Sequence, residues 1–275
     1  MNAVKRAALR RHLALSLSVA AVVVTAPRAH AVDPLKSIRT FCQADGNGAR
    51  IDPYSWSSVA DFVTWGLEPA WDHLYLIRGF EFGTPEWRDG SLAVDVQYTI
   101  TGEVRSSVVT HEVRVETRTY RLERGDDGMW RIRAPAPPPY VFESEVDPDA
   151  LATLLDPNDP NYLSASAFVW RMLRDSGWTM PYADAAGLGT STDFTSERSA
   201  EIGDLALYYD GEQPYQVGIV DSEDTIVCST LNGGIRRVPF AAFAGEIRYR
   251  RPIAALIATP TPEPTKKERA RRRKH

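Results

Sequence analysis

Two stretches of strictly alternating polarity constrain the fold most. From Leu92 to Ile100 a large apolar residue occupies every second position, with Ala93 and polar side chains between. From Glu112 to Thr119, valine and threonine alternate with glutamate and arginine. A period of two is typical of a β-strand with one half-buried face. Asp126-Asp-Gly128 then forms a turn before Met129–Arg133, so we predict an antiparallel sheet closed by a hairpin.

The residues before these strands predict an α+β domain over residues 33–142. We expect an extended lead from Asp33 to Pro53, a short helix near Ser58, and a second helix opened by Pro69. Helices followed by a curved antiparallel sheet faintly resemble the cone-shaped fold of the nuclear-transport-factor and SnoaL-like families. That likeness lies in element order only and implies no site residue.

A linker is predicted over residues 143–160. It follows a proline-rich stretch, Ala134–Tyr140, which favours a stiff extended backbone. Within the linker, Asp147 can cap a helix that has Pro148 at its first position. Asp156-Pro-Asn-Asp-Pro160 should end that helix, and a second domain is expected over residues 161–252.

The second domain is predicted to begin with an amphipathic helix. Apolar residues recur at helical spacing between Leu163 and Leu173. Ser164 can cap the start of this helix, and Gly177 can end it in the left-handed conformation. Strand-like stretches follow at Leu205–Tyr209, Val217–Val220, Thr225–Ser229 and Ile247–Tyr249, and we expect a glycine- and serine-rich loop over residues 181–198.

This helix, followed by Gly203-Asp-Leu205 and then Val217-Gly-Ile219, resembles the NlpC-type cell-wall peptidases. These are papain-like enzymes that cut peptidoglycan stem peptides. The resemblance implies a papain-like α+β fold from residue 161 to residue 252. The nucleophile position of the family, a cysteine, is Ala165 here. The base position, a histidine, is Gln216, and the third position is Val227.

These replacements remove the chemistry that the family uses. A thiolate at a helix N-terminus is stabilised by free N–H groups and the helix dipole, and a neighbouring imidazole shuttles the proton. A methyl group cannot attack a carbonyl, and a carboxamide does not exchange a proton near neutral pH. We therefore predict a protein without catalytic residues and without a cofactor or metal. The resemblance implies a substrate groove lined by Ser164, Ser166, Tyr182 and Gln216.

Three functions follow from this sequence. The first is a catalytically inactive envelope protein that binds a peptidoglycan stem peptide or a protein partner through the groove. The second is an active peptidoglycan hydrolase that uses Ser164 or Ser166, for which no histidine lies at a family base position. The third is an envelope adaptor whose N-terminal domain carries the binding.

The N-terminal residues predict export, and both ends of the chain are basic. Residues 1–31 combine basic residues, an apolar run and Ala29-His-Ala31, which is typical of a cleaved signal peptide. The formal net charge is −4 although both ends are basic, so the core is acidic and nucleic-acid binding over it is not expected. Residues 253–275 are predicted to be a disordered basic tail. It either contacts an anionic polymer or membrane surface, or serves only as a solubilising end.

Cys42 and Cys228 are the two cysteines of the chain. An oxidising compartment permits a disulfide that would join the two predicted domains. A buried free thiol at each position is the simpler alternative, and both remain open at this stage.

Overall fold

A computed structural model describes residues 33–159 and 162–253 of the chain. The predicted signal peptide and the basic tail beyond residue 253 lie outside these residues. The fold is α+β, with two β-sheets. The helices are α1 (Pro34–Gly46), α2 (Ser57–Ala60), α3 (Pro148–Leu154), α4 (Ala165–Asp175) and α5 (Ala185–Thr190). The strands are β1 (His73–Phe82), β2 (Glu86–Arg88), β3 (Ser91–Arg105), β4 (Val108–Arg124), β5 (Trp130–Ile132), β6 (Tyr140–Phe142), β7 (Phe194–Glu197), β8 (Leu205–Asp210), β9 (Gln213–Val220), β10 (Thr225–Thr230), β11 (Gly234–Pro239) and β12 (Glu246–Pro252).

The first sheet is curled and has the strand order β5-β4-β3-β1-β6, with β2 paired to β3. Neighbouring strands are antiparallel except β6, which runs parallel to β1. The predicted alternating strands and the β4–β5 hairpin are confirmed. Helix α1 buries Ile38, Phe41 and Cys42 in the same hydrophobic cluster as Tyr98 of β3, because these positions share one helix face.

The second sheet has the strand order β11-β10-β9-β8-β12-β7. Helix α4 packs on one face of it, and Phe168 and Val169 share a hydrophobic cluster with Leu207 and Val217. The predicted cap of α4 is confirmed, since the Ser164 hydroxyl accepts the Ala167 N–H at 3.1 Å. Gly177 has a φ of 92°, as expected for the residue that ends this helix.

Three local predictions are wrong. Residues 33–53 are not an extended lead, because Asp33 and Pro34 start α1 with the same Asp-Pro signal that starts α3 at Asp147. Pro69 opens no helix: β1 begins at His73, where apolar and aromatic side chains pair with β3 and outweigh helix propensity. The predicted loop over residues 181–198 contains α5 and β7.

Residues from both halves of the chain meet in one hydrophobic cluster, which includes Trp71 and Tyr98 as well as Tyr208 and Cys228. The division into two domains stays a prediction. Both cysteines are buried free thiols and form no disulfide with each other. Burial raises the pKa of Cys42 and of Cys228 to about 12, so both stay protonated at neutral pH. In the part of the chain that is described, the helices are too short or too polar to span a bilayer.

Candidate functional site

The residues from Gly66 to His73, called segment 66–73 below, run along the end of the second sheet. Pro69 forms an isolated antiparallel bridge with Thr230. The Glu68 carbonyl accepts the Leu231 N–H at 2.9 Å, and the Asn232 amide donates to the Gly66 carbonyl at 2.9 Å. Segment 66–73 is therefore held in place by one main-chain and one side-chain hydrogen bond from Leu231 and Asn232, which follow β10.

This segment covers the start of α4. The Ala165 N–H, which has no partner within the helix, donates to the Ala70 carbonyl at 2.8 Å. The Tyr162 hydroxyl donates to the Trp71 carbonyl at 2.9 Å. The Ala165 side chain is only 4% exposed and packs in the α4 cluster. The position that the resemblance assigns to a nucleophile is thus an apolar, covered site.

Gln216 and Val227, which stand at the other two family positions, are also packed inside the fold. Gln216 is fully buried; its amide donates to the Ser229 carbonyl at 3.1 Å, and its carbonyl oxygen accepts the Val217 N–H at 3.0 Å. Val227 packs against the cluster that contains Ala165. The Ser229 hydroxyl donates to the Leu163 carbonyl at 2.6 Å, so Ser229 lies between Gln216 and the start of α4.

The three remaining groove candidates contact one another or Asp72. Ser164 is buried and caps α4. Ser166 is fully buried and donates to Asp72 Oδ2 at 2.5 Å. The Tyr182 hydroxyl accepts from Ser106 at 3.4 Å. Burial raises the pKa of Tyr182 and the charge of Asp72 adds to this, whereas hydrogen bonds with Ser106 and Ser164 lower it.

Asp72 organises this region. Its Oδ2 accepts from Ser166 and from the main-chain N–H of Ala185, the first residue of α5, at 3.0 Å. Its Oδ1 lies 3.1 Å from His73 Nδ1. Burial alone would raise the pKa of Asp72, but its bonds with His73, Ser166 and Ala185 outweigh this and lower it. Asp72 is therefore a charged carboxylate at neutral pH, beside the first residues of α4 and α5.

A cavity of about 170 Å³ opens beside Asp72 and His73, and we call it the Asp72–His73 cavity. It is lined by Trp71, Asp72, His73, Tyr75, Arg105, Glu116, Arg118, Ala136, Pro138, Ala185, Ala186, Asp210, Gln213, Pro214 and Tyr215. Both signs of charge surround it. Its chemistry therefore suits a small ligand that carries an anionic and a cationic group.

The charged lining groups are held in place by ion pairs. Arg105 Nη1 lies 2.5 Å from Asp184, and Arg118 Nη2 lies 2.5 Å from Asp210. Glu116 accepts from the Tyr140 hydroxyl at 3.2 Å. Within the described residues, several lining groups keep unused hydrogen-bonding capacity, among them the second ring nitrogen of His73, the Tyr75 hydroxyl, the Gln213 amide, and Nε and Nη1 of Arg118.

Ser166, Asp72 and His73 do not form a nucleophilic triad. In a triad the imidazole lies between the serine and the carboxylate, so that it can take the serine proton. Here the carboxylate lies between the other two groups, and the serine is fully buried. The arrangement orders the cavity wall but does not activate a nucleophile. In residues 33–159 and 162–253, no three His, Cys, Asp or Glu side chains are placed to hold a metal ion.

The sequence pattern did not reveal this site. His73 lies in a stretch predicted to be helical, and Ser166, which donates to Asp72, is 94 positions away from Asp72. The adjacent pair Asp72-His73 was the available signal, since a carboxylate beside an imidazole often orients it. Searches against family models, curated proteins and solved structures find no significant match to this chain.

Proposed function

We propose that this protein is an exported, non-catalytic binding protein of the cell envelope, and that it binds a peptidoglycan stem peptide. One charged residue of the peptide occupies the Asp72–His73 cavity. The observation that carries the proposal is the lining of this cavity by both signs of charge, directly beside the covered start of α4. The NlpC-type motif order supports the choice of ligand.

The size of the cavity limits what enters it. About 170 Å³ is the space of about six water molecules at about 30 Å³ each. That volume accommodates one amino-acid residue rather than a whole peptide. Arg105 and Arg118 are placed to attract a ligand carboxylate, and Glu116 and Asp210 a ligand ammonium group. A stem peptide carries both groups, whereas a simple anion or an apolar molecule satisfies only part of this lining.

We propose no catalytic activity because the positions where the family has its catalytic residues carry neither a nucleophile nor a base. Ala165 and Val227 present only aliphatic groups. Both polar groups of Gln216 are bonded within the fold. Neither Ser164 nor Ser166 donates to an imidazole. Among the described residues, we therefore find no activated nucleophile beside the cavity.

Calorimetric titration of the purified protein with a synthetic stem tetrapeptide tests the proposal. We expect binding and, by mass spectrometry of the mixture, an intact peptide. Arg118→Gln should weaken binding about tenfold, because it removes a charge-assisted contact. Arg248→Gln is the matched control, since Arg248 pairs with Glu246 on β12 outside the cavity and should leave affinity unchanged. Peptide cleavage would instead support the active hydrolase, and absence of binding would refute the proposal.

One observation favours the adaptor alternative. The charged lining comes largely from the first half of the chain, including His73, Arg105 and Glu116. Gln213→Ala changes a lining group of the second half. If Arg105→Gln abolishes binding and Gln213→Ala has no effect, the N-terminal half carries the binding.

The relationship to the NlpC-type family is a separate proposal with its own test. Ala165→Cys combined with Gln216→His and Val227→His restores the three family residues. Stem-peptide cleavage by this triple variant, with none by the parent, would support the alignment. Because segment 66–73 covers position 165, the triple variant is also made with Asn232→Ala, which removes two bonds that hold this cover. A folded protein that stays inert in both forms would count against the alignment.

A further inference from the structure

A second cavity, which we call the β12 groove, lies on the outer part of the second sheet. It has a volume of about 420 Å³ and is bordered by Gly189 of α5 and by residues of β7, β8 and β12. It shares no lining residue with the Asp72–His73 cavity. The β12 groove is therefore a separate place at which a small molecule can bind.

The alternation of side chains along the strands decides which of them face the β12 groove. Leu205 of β8 packs in the α4 cluster and lies opposite Arg250 of β12. Cross-strand partners share one face of a sheet, so Arg250 lies on the face that α4 covers. Phe194 of β7 packs in the same cluster, and Ser196 follows two positions later. The side chains on the groove face are those of Ser196, Arg198, Tyr209, Glu246, Arg248 and Arg250.

The two acidic residues that line the β12 groove are already paired. Glu246 accepts two hydrogen bonds from Arg248, at 2.8 and 3.1 Å, and Arg248 Cζ lies 4.1 Å from the Tyr209 ring centroid. Glu197 has the opposite alternation, and its side chain lies 3.9 Å from Arg251 on the other face of the sheet. Neither carboxylate is left to neutralise another cation in the groove.

Arg198 and Arg250 have no carboxylate partner in the described part of the chain. Arg250 donates only to neutral groups, to Ser196 Oγ at 2.8 Å and to the carbonyls of Phe194 and Ser191. Its Nε is buried and has no hydrogen-bond acceptor. Arginine keeps its proton in proteins, and a partly buried charge without a counter-ion costs free energy. The groove face therefore holds two positive charges that an anion can neutralise.

We propose that the β12 groove binds a phosphate monoester, held between Arg198 and Arg250. Such a group carries a charge of about −1.5 to −2 at neutral pH, which matches the two uncompensated arginines, whereas a carboxylate carries only one charge. Guanidinium groups bind phosphate oxygens through paired N–H donors. The Ser196 and Tyr209 hydroxyls donate to no described residue, so each can donate to a phosphate oxygen.

The size of the β12 groove admits more than the phosphate group. A volume of about 420 Å³ is the space of about 14 water molecules at about 30 Å³ each. A phosphate together with a glycerol or a single sugar unit fits this space. This inference does not rest on the proposed function, because it concerns a different cavity and different residues.

Calorimetric titration of the full chain with glycerol 3-phosphate tests the site. The parent should bind, and Arg198→Gln should weaken binding at least about tenfold, because it removes one of two cations. Arg198 is exposed, so this substitution should leave the fold intact, which circular dichroism verifies. Arg236→Gln is the matched control: Arg236 is also exposed and has no carboxylate partner among the described residues, but it lies on β11 at the opposite edge of the sheet. No binding by the parent, or equal affinities of the two variants, would overturn the proposal.

The charge of the ligand is tested with pH and with a diester. The second proton of a phosphate monoester dissociates near pH 6, so affinity for glycerol 3-phosphate should rise about tenfold from about pH 5 to about pH 7.5. Hydrogen bonds with Arg248 lower the pKa of Glu246, so the charge of the groove itself stays constant over this range. Dimethyl phosphate, which keeps one charge throughout, should bind more weakly and with the same affinity at both pH values. A pH-independent affinity for glycerol 3-phosphate would refute a monoester site.

Vesicles distinguish a lipid headgroup from a soluble ester, because phosphatidic acid presents a phosphate monoester at a membrane surface. Sedimentation with phosphatidylcholine vesicles, with and without phosphatidic acid, measures this binding. Binding that requires phosphatidic acid and is lost in Arg198→Gln but kept in Arg236→Gln identifies the lipid. Binding of glycerol 3-phosphate without such vesicle binding identifies a soluble ester. Vesicle binding that Arg198→Gln leaves unchanged, together with no binding of glycerol 3-phosphate, would refute the site.

Discussion

Two carboxylates of segment 66–73, four residues apart, are used in different ways. Glu68 is fully buried and accepts from Arg50 Nε at 2.9 Å, from Trp65 at 2.7 Å and from Trp71 at 2.6 Å. The Arg50 guanidinium also lies 5.3 Å from the Trp71 ring centroid and donates to the Pro137 carbonyl. Every group in this cluster is bonded inside the fold.

Asp72 is buried as well, but it lines a cavity instead of being enclosed on all sides. One of its partners, His73, lines the Asp72–His73 cavity. A saturated buried ion cluster contributes to the fold alone, since nothing is left to meet a ligand. A buried carboxylate that orients a partly exposed imidazole determines the chemistry of a cavity wall. Burial by itself does not distinguish a structural carboxylate from one that serves a site.

Asp45 is a third carboxylate, beside the Glu68 cluster. Its Oδ2 lies 3.5 Å from Arg50 Nη1 and accepts the Tyr140 N–H, while its Oδ1 has no partner. Burial raises the pKa of Asp45 to about 7, and the nearby Arg50 charge lowers it only in part. Two acids face one arginine, so one proton makes the cluster neutral.

The largest expected effect comes from removing the buried cation. Arg50→Met leaves the buried Glu68 carboxyl group without its cationic partner and should lower the free energy of unfolding by about 3–5 kcal/mol, measured by urea denaturation. Arg248→Met, at an exposed ion pair, is the control and should leave the free energy of unfolding nearly unchanged. A loss below about 1 kcal/mol at Arg50 would show that the Glu68 cluster is not what holds this region.

The next effect is a pH dependence that belongs to Asp45. Its folded pKa of about 7 lies above the ordinary 3.8, so the folded state binds the extra proton between these values. Stability from this group is therefore greatest at low pH and falls as pH rises towards 7, by on the order of 4 kcal/mol. Asp45→Asn should remove that decline in denaturation curves measured from pH 4.5 to pH 8. An unchanged slope would contradict the assignment.

A smaller loss is expected from Asp72→Asn. An amide cannot accept from all three partners, so at pH 7 the free energy of unfolding should fall by about 1–2 kcal/mol. The pKa of Asp72 is lowered, so its stabilisation is complete above the ordinary value of 3.8 and is lost as pH falls through the folded pKa. Parent and variant should therefore converge in strong acid.

Asp72→Asn should also weaken stem-peptide binding, whereas Arg50→Met, in conditions where it is folded, should not. This contrast checks the difference between the two carboxylates directly. Equal effects of the two substitutions on affinity, measured by the same titration, would show that Glu68 and Asp72 do not differ in their role in binding.

The last prediction concerns reactivity rather than stability, and tests the cover that segment 66–73 places over α4. Ala165→Cys introduces a thiol beneath the Ala70 carbonyl, which should react with an aromatic disulfide reagent about a hundredfold more slowly than Met172→Cys on the same helix. Met172 is 45% exposed and provides the matched control. Asn232→Ala removes the bonds to Gly66 and Glu68 and should speed the reaction at position 165. Similar rates at positions 165 and 172 would show that the start of α4 is open.

Interactions between residues close in sequence determine much of the secondary structure in the second half of the chain. The helix α4, its serine cap, its terminal glycine and strands β8, β9 and β10 were predicted from residues within a few positions of one another. These features depend on hydrogen bonds between near neighbours and on one periodic pattern. The Asp-Pro pair that starts α1 at Asp33 is an equally local signal, although an extended lead is predicted there.

The tertiary structure decided the site. Glu68 and Asp72 stand in one short stretch with the same side-chain chemistry, and nothing in their spacing separates their roles. Their partners come from distant positions, Arg50 for one and Ser166 and Ala185 for the other. A side chain's neighbours across the fold set its charge state and its exposure, and chain order does not encode those neighbours in any local pattern. The sequence thus determined which elements form, and packing determined which carboxylate faces a cavity.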